Sequence, residues 1–189
     1  MNTYDFDKTI FYPDSSACFY KYCLRKHSAA VLKTLPKSFV KAVQYAVGKI
    51  ETKELKEQLF SFLQSIENID AVLASFWKEN MGGVGNWYLE QKRDDDIIIS
   101  ASPYFLLEPV CRELGVRLIA TPMDKKTGKI QGRNCHDSEK VRRFYEEYPG
   151  AHTENFYSDS LSDSPMAEIA DNAYMVKKHK LSKWPKNNT

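Results

Sequence analysis

The sequence predicts an α/β fold: a parallel sheet with helices on both faces, plus a small helical bundle inserted after the first strand. Two observations predict it. Short, continuous apolar runs alternate with helical patterns through the second half of the chain, the arrangement of buried parallel strands joined by crossover helices. Before them lies a long stretch with helical periodicity and no strand signal. With 189 residues, the chain can build one domain with a sizeable core, or a core carrying an insertion.

The strand-like runs are the segment before Asp5, DIIIS at 96–100, VRLIA at 116–120 and AYMV at 173–176, with HTENFYSD at 152–159 a weaker fifth. In SPYFLLEPVCREL, Ser102 is expected to cap a helix with Pro103 in its first position. In DSEKVRRFYEEY, Asp137 or Ser138 is the expected cap, with Val141, Phe144 and Tyr145 on one face. The MDKKTGKI segment at 123–130 carries the turn Lys126-Thr127-Gly128 and predicts a hairpin excursion.

Between the first strand and DIIIS, about four helices are expected. One begins near Asp14 or Ser15. Phe39, Val43, Ala46, Val47 and Ile50 fall at helical spacing, as do Leu55, Leu59, Phe62, Leu63 and Ile66, and then Ile69, Val72, Leu73, Phe76 and Trp77. These stripes are read as core packing. Gly82, Gly83 and Gly85 suit a return linker. The expected division is a catalytic core from 1–13 and 94–189, with a helical cap from 14–93. The tail KKHKLSKWPKNNT, with five lysines, reads as a solvated end, with contact to an anionic surface as the alternative.

Hydrophobic residues make up 42% and charged residues 28%, as in ordinary globular proteins. A net charge of +2 gives no reason to expect a nucleic-acid partner. No export signal or membrane-length apolar run is evident, and no obligate protein partner is indicated. Four cysteines, Cys18, Cys23, Cys111 and Cys135, lack metal-type spacing and read as free thiols in a reducing cytoplasm.

Chemistry concentrates where strands end. DFDKT places Asp5 and Asp7 after the first strand, and YSDSLSD places Asp159 and Asp163 after a later one. Ligands of such sheets sit beyond the carboxyl ends of the strands. Converging carboxylates repel one another unless a cation joins them. A hard divalent ion with few carboxylate ligands, magnesium above all, fits that need. Ser100 ends DIIIS, followed by the amides of Ala101 and Ser102 and a helix start that attracts anions. Lys140 can extend a positive charge toward the same cleft. A phosphoryl group needs such a set of nucleophile, proton donor, hydrogen-bond donors, metal and cation.

In this order the pieces resemble the four motifs of the haloacid dehalogenase superfamily: DFDKT for the first, IIIS for the second, Lys140 in NCHDSEK for the third and SDSLSD for the fourth. The resemblance spans nearly the whole chain. The inserted helices resemble the cap of its phosphoserine phosphatase-like branch, and the core is then Rossmann-like. The resemblance implies Asp5 as nucleophile, Asp7 as proton shuttle, and Ser100 and Lys140 on the phosphoryl oxygens. Magnesium would be held by Asp5, the Asp7 carbonyl and Asp159, with Asp163 a ligand or a support. Thr9, Ala101, Ser102 and Asp14 fall at substrate-side positions, Thr9 more as a support of the loop.

The sequence departs from phosphoserine phosphatases at Ser100-Ala101-Ser102-Pro103, where Ser-Gly-Gly is usual, and at Asp137-Ser138 before Lys140. No arginine occurs between Arg25 and Arg93 to grip a substrate carboxylate, and lysine is a poor substitute for that bidentate contact. The expectation is therefore a magnesium-dependent phosphatase acting on a small phosphorylated metabolite other than phosphoserine. A lipid phosphate is the alternative, with Phe76, Trp77, Trp87, Tyr88 and the basic tail meeting a membrane. A phospho-accepting signalling domain is a third reading, disfavoured by the second carboxylate and the helical insertion.

Overall fold

The computed structural model describes residues 1–185. Six strands form one sheet in the order β3-β2-β1-β4-β5-β6: β1 Asn2–Tyr4, β2 Ile97–Pro103, β3 Arg117–Thr121, β4 Thr153–Ser158, β5 Ala170–Lys177 and β6 Lys180–Lys183. All neighbours run parallel except the last pair. This is a Rossmann-like sheet, with β1 at its centre though only three residues long.

Side-chain alternation assigns the two faces. Ile97 and Ile99 pack with Ile119, Phe144, Phe156 and Met166 on one, beneath α7 (Ser138–Glu147) and α8 (Ser164–Glu168). Ile98 turns to the other, larger cluster. There Tyr4, Tyr157 and Tyr174 occupy matching register on β1, β4 and β5. Their rings stack in sequence, with centroids 4.7 and 5.1 Å apart. Such cross-strand aromatic pairs add about 0.5–1.5 kcal/mol each beyond area burial.

Between β1 and β2 run five helices: α1 Ser15–Lys26, α2 Ser28–Ala46, α3 Thr52–Leu59, α4 Ile69–Asn80 and α5 Asn86–Gln91. The chain then passes through α6 (Tyr104–Leu114) to β3. Asp14 caps α1 by accepting from the Ala17 amide at 2.9 Å. The stripe of α4 is wholly buried, from Ile69 to Trp77. Phe76 contacts the rings of Phe19, Tyr22 and Trp77, and Trp77 donates to the Leu106 carbonyl at 2.6 Å. The inserted helices and the sheet thus share one continuous core.

Several expectations are corrected. Phe39, Val43, Ala46 and Val47 do not enter a core: Phe39 is 71% exposed, and the others also face solvent. Periodicity shows that a helix has an apolar face, not that something covers it. The stripe from Leu55 is split, with α3 ending at Leu59 and Phe62 and Leu63 buried in the 3-10 turn Ser61–Ser65. Gly83 ends the 3-10 turn Met81–Gly83 and Gly85 caps a further helix, α5, so the glycines do not form only a linker. Phe76, Trp77 and Tyr88 are buried and present no aromatic patch to a membrane. Ser102 does not cap α6; it lies within β2, and Pro103 holds the cap position with Tyr104 first in the helix. Tyr145 is exposed while Phe144 is buried.

The hairpin excursion forms, with Met123 bridged to Ile130 and Gly128 at φ +73°. The tail is not merely solvated chain. Lys180–Lys183 pairs antiparallel with β5, and Trp184 packs on Phe156 at 5.8 Å. Residues 186–189 of that tail, Lys186 included, lie outside the described residues.

Because Phe76 is fully buried in the core that the inserted helices share with the sheet, Phe76→Ala should cost about 3–5 kcal/mol. Urea denaturation should still show one transition, shifted lower. Two separated transitions in the wild-type protein would contradict a shared core.

Candidate active site

The cavity lies beyond the carboxyl ends of β1, β2 and β4. Its volume is about 330 Å³, and residues from well-separated segments line it: Asp5, Asp7, Asp14, Ser100, Ala101, Ser102, Lys140, Asp159 and Asp163, together with Lys8, Ser16, Lys56, His136, Ser160 and Ser162.

The loop after β1 sets the first two aspartates. The Phe6 carbonyl accepts from the amides of Ile10 and Phe11 at 3.0 and 2.9 Å, curling the chain back on itself. Lys8 stands at φ +58° in this curl. Phe6 is driven fully into the core, while its neighbours Asp5 and Asp7 both line the cavity. Thr9 is buried and does not line the cavity. Its hydroxyl lies 3.5 Å from Asp5 Oδ2, the position of a loop support.

Lys140 is the centre of the arrangement. Its ammonium donates to Asp5 Oδ1 at 2.7 Å and to Asp163 Oδ2 at 2.8 Å, and the residue is 1% exposed. Burial alone would lower its pKa, but the two carboxylates outweigh that and hold it above the ordinary lysine value. Burial pushes the Asp5 carboxyl up, opposed chiefly by Lys140. Ser158, at the end of β4, donates its hydroxyl to Asp163 Oδ2 at 2.7 Å.

Asp7 sits in a different environment. Its Oδ1 accepts from the Ser15 amide at 2.6 Å and its Oδ2 from the Ser102 hydroxyl at 2.5 Å. Burial, with Asp14 nearby, raises its pKa to about 6. Ser102 therefore serves Asp7 in this conformation. Its amide is taken by Ser100 Oγ at 3.1 Å, which leaves the Ser100 hydroxyl proton free to donate. Asp159 also lines the cavity, its pKa raised by burial.

Two contributors were not legible. Lys56 of α3 lines the cavity, donating to the Ala101 carbonyl and to Asn134 Oδ1, each at 2.9 Å; burial lowers its pKa. Nothing in its helical stripe marks it, because it reaches the site only through tertiary packing. Glu139 is the other, clamped by Arg142 at 2.7 Å and Arg143 at 2.9 Å. Arg143 also donates to the carbonyls of Ala120 and Arg133. The clamp ties the first turn of α7 to the end of β3 and so fixes Lys140 in register. Asp137 caps α7 at φ +57° by accepting from the Ser138 amide; the acid and two arginines at fixed helical spacing were the available signal.

A sequence profile of haloacid dehalogenase-like hydrolases matches residues 3–168. The chain belongs to this family. It is 27% identical over 181 residues to the protein CicA of Caulobacter vibrioides, covering 89% of this chain and 82% of that one. A Bordetella pertussis Tohama I protein of unknown function superposes with a TM-score of 0.78 at 21% identity, over 92% of this chain and 87% of the other. A phosphoserine phosphohydrolase-like protein from Francisella tularensis superposes with a TM-score of 0.55 at 14% identity, over 92% and 86%. The chain thus shares its fold with both of these solved structures.

The Glu139 clamp makes a prediction about stability. Arg142 and Arg143 hold its carboxyl at about 2, below its ordinary 4.5. A depressed folded-state pKa stabilises the protein above the unfolded value, and the benefit is lost as pH falls toward the folded value. Glu139→Gln should therefore lower Tm at neutral pH, and its difference from wild type should shrink between pH 4.5 and about 2. Circular dichroism melts of both proteins across that range would check it.

Proposed function

We propose that this protein is a magnesium-dependent phosphomonoesterase that works through a phosphoaspartyl intermediate on a small, polar phosphorylated metabolite. The observation that carries the reading is the cavity itself, which gathers Asp5, Asp7, Ser100, Lys140, Asp159 and Asp163 from four separated stretches of chain.

The donor set suits a divalent cation. Among the described residues, no three acid, imidazole or thiol side chains form a ready-made metal cluster. Yet five aspartates and three lysines line the cavity; with all of them charged, 3 − 5 leaves two negative charges. Magnesium takes few protein carboxylates and completes its sphere with water and phosphate oxygens. Asp5, the Asp7 carbonyl and Asp159 would hold it, with Asp163, already engaged by Lys140 and Ser158, in support. Bound there, it would neutralise charge on the transferred phosphoryl group.

The residues divide the remaining work. Asp5 attacks phosphorus, and the bond to the leaving oxygen breaks as Asp7 gives it a proton. Water then attacks the acyl phosphate, Asp7 takes a proton from it, and Asp5 is released with inorganic phosphate. Two buried donors from Ser102 and Ser15 hold the Asp7 carboxyl in place for both transfers. Ser100 and Lys140 stabilise the phosphoryl oxygens. Helices α1–α5, residues 14–93, would act as the cap over a core of 1–13 and 94–189. They bring Asp14, Ser16 and Lys56 to the cavity, polar walls that favour a polar leaving group. Lys56 can meet a substrate anion as a point charge but not as a guanidinium fork, which argues against phosphoserine. Four free thiols suit a reducing cytoplasm. No helix of the described residues is long and apolar enough to cross a membrane.

The deciding experiment is turnover of p-nitrophenyl phosphate and a panel of phosphorylated metabolites, with magnesium and with chelator. Multiple turnovers that chelation stops and magnesium restores are expected; chelator-resistant turnover would contradict the metal assignment. Asp5→Asn should abolish turnover, because an amide neither attacks nor ligates well. Lys140→Ala should lower it about a hundredfold or more, and a near-normal rate would remove Lys140 from the site.

A further inference from the structure

Helix α2 carries its apolar residues on the outside. Leu32, Leu35, Phe39, Val40, Val43 and Val47 are 53%, 42%, 71%, 54%, 49% and 61% exposed. Their spacing places them on one broad arc of the helix, joined there by Pro36, Ala42 and Ala46, which are also exposed. Single exposed apolar side chains are ordinary, but a whole helical face of them marks an interaction surface. Beside it lies an apolar recess of about 510 Å³ between Leu35, Phe39 and Ala42 of α2 and Tyr20 and Leu59 of its neighbours.

The charge of the same helix says what covers this face. Lys33, Lys37 and Lys41 recur every four residues and form a row along one border of the apolar arc. Ser28–Ala46 contains no acidic residue. Lys41 is paired with Glu54 across the groove to α3, while Lys33 and Lys37 are exposed. The complement of such a face is apolar and anionic at once. A second copy would bring the same cationic helix and supply no negative charge from it. An apolar arc bordered by lysines is instead the pattern of a helix lying in the plane of a lipid interface.

We propose that α2 docks this hydrolase on the surface of an anionic lipid bilayer, with Phe39 and its apolar neighbours entering the acyl boundary and Lys33 and Lys37 meeting lipid phosphates. The face is separate from the catalytic cavity, which α2 does not line. The helices on either side of it do line that cavity, through Ser16 of α1 and Lys56 of α3. The docking does not depend on the identity of the substrate.

Co-sedimentation with vesicles tests it. The wild-type protein should pellet with vesicles of phosphatidylglycerol and phosphatidylcholine and remain in solution with phosphatidylcholine alone. The double variant Phe39→Glu, Val43→Glu should stay in solution with both, with turnover of p-nitrophenyl phosphate unchanged, since both side chains are exposed. Lys33→Ala with Lys37→Ala should weaken partitioning roughly thirtyfold, at about 1 kcal/mol per lysine. Wild-type protein that ignores anionic vesicles would overturn the proposal, as would pelleting that survives the Phe39 and Val43 substitutions. So would light scattering that shows a dimer dissociated by the double variant without vesicle binding, which would assign the face to a second copy.

Discussion

One buried ammonium organises this molecule. Lys140 has lost its water and in return holds Asp5 from the loop after the first strand and Asp163 from the segment after the fourth. Stripping such a cation of solvent costs several kcal/mol, and only close carboxylates with good geometry offset it. The same arithmetic binds the carboxylates. Without the ammonium, two acids would face each other in a space that excludes water. Three distant parts of the chain are therefore committed to one place by charge, and the rest of the cavity is arranged around them.

The two acids of the opening motif illustrate how environment separates like groups. Asp5 answers to an ammonium, Asp7 to a hydroxyl and an amide. One is held beside a positive charge, which opposes the upward push that burial gives its carboxyl. The other is held by neutral donors, with a pKa of about 6 near the range where a proton can be given and taken back. Two residues of spacing suffice, because Phe6 between them is anchored in the core and turns its neighbours outward.

Most of the core sheet could be read from the chain, since buried parallel strands are uninterrupted apolar runs such as Ile97–Ile99. β6 could not, because an exposed edge strand of Lys, Leu and Ser has no apolar run. The acidic motifs were legible for a chemical reason: carboxylates two or four apart at strand ends are costly without a purpose. Lys56 and the Glu139 clamp were not, since their roles depend on which surfaces meet. The same limit explains α2. The spacing of Phe39, Val43 and Val47 correctly marked a helix with one oily side, but whether that side meets protein or solvent is decided by the placement of α1 and α3 around it. The register of Ser102 depended on a comparable detail, the extension of β2 through Pro103 before the helix begins.

The antiparallel turn at the end of the sheet has a consequence for behaviour in a crowded solution. Parallel strands β1 to β5 would otherwise finish on a bare row of amides and carbonyls, an invitation to join strands from other molecules. The chain instead folds back on itself and presents Lys177, Lys180 and Lys183 along that margin. Two such borders repel one another, so the sheet ends as a charged fence that disfavours edge-to-edge pairing.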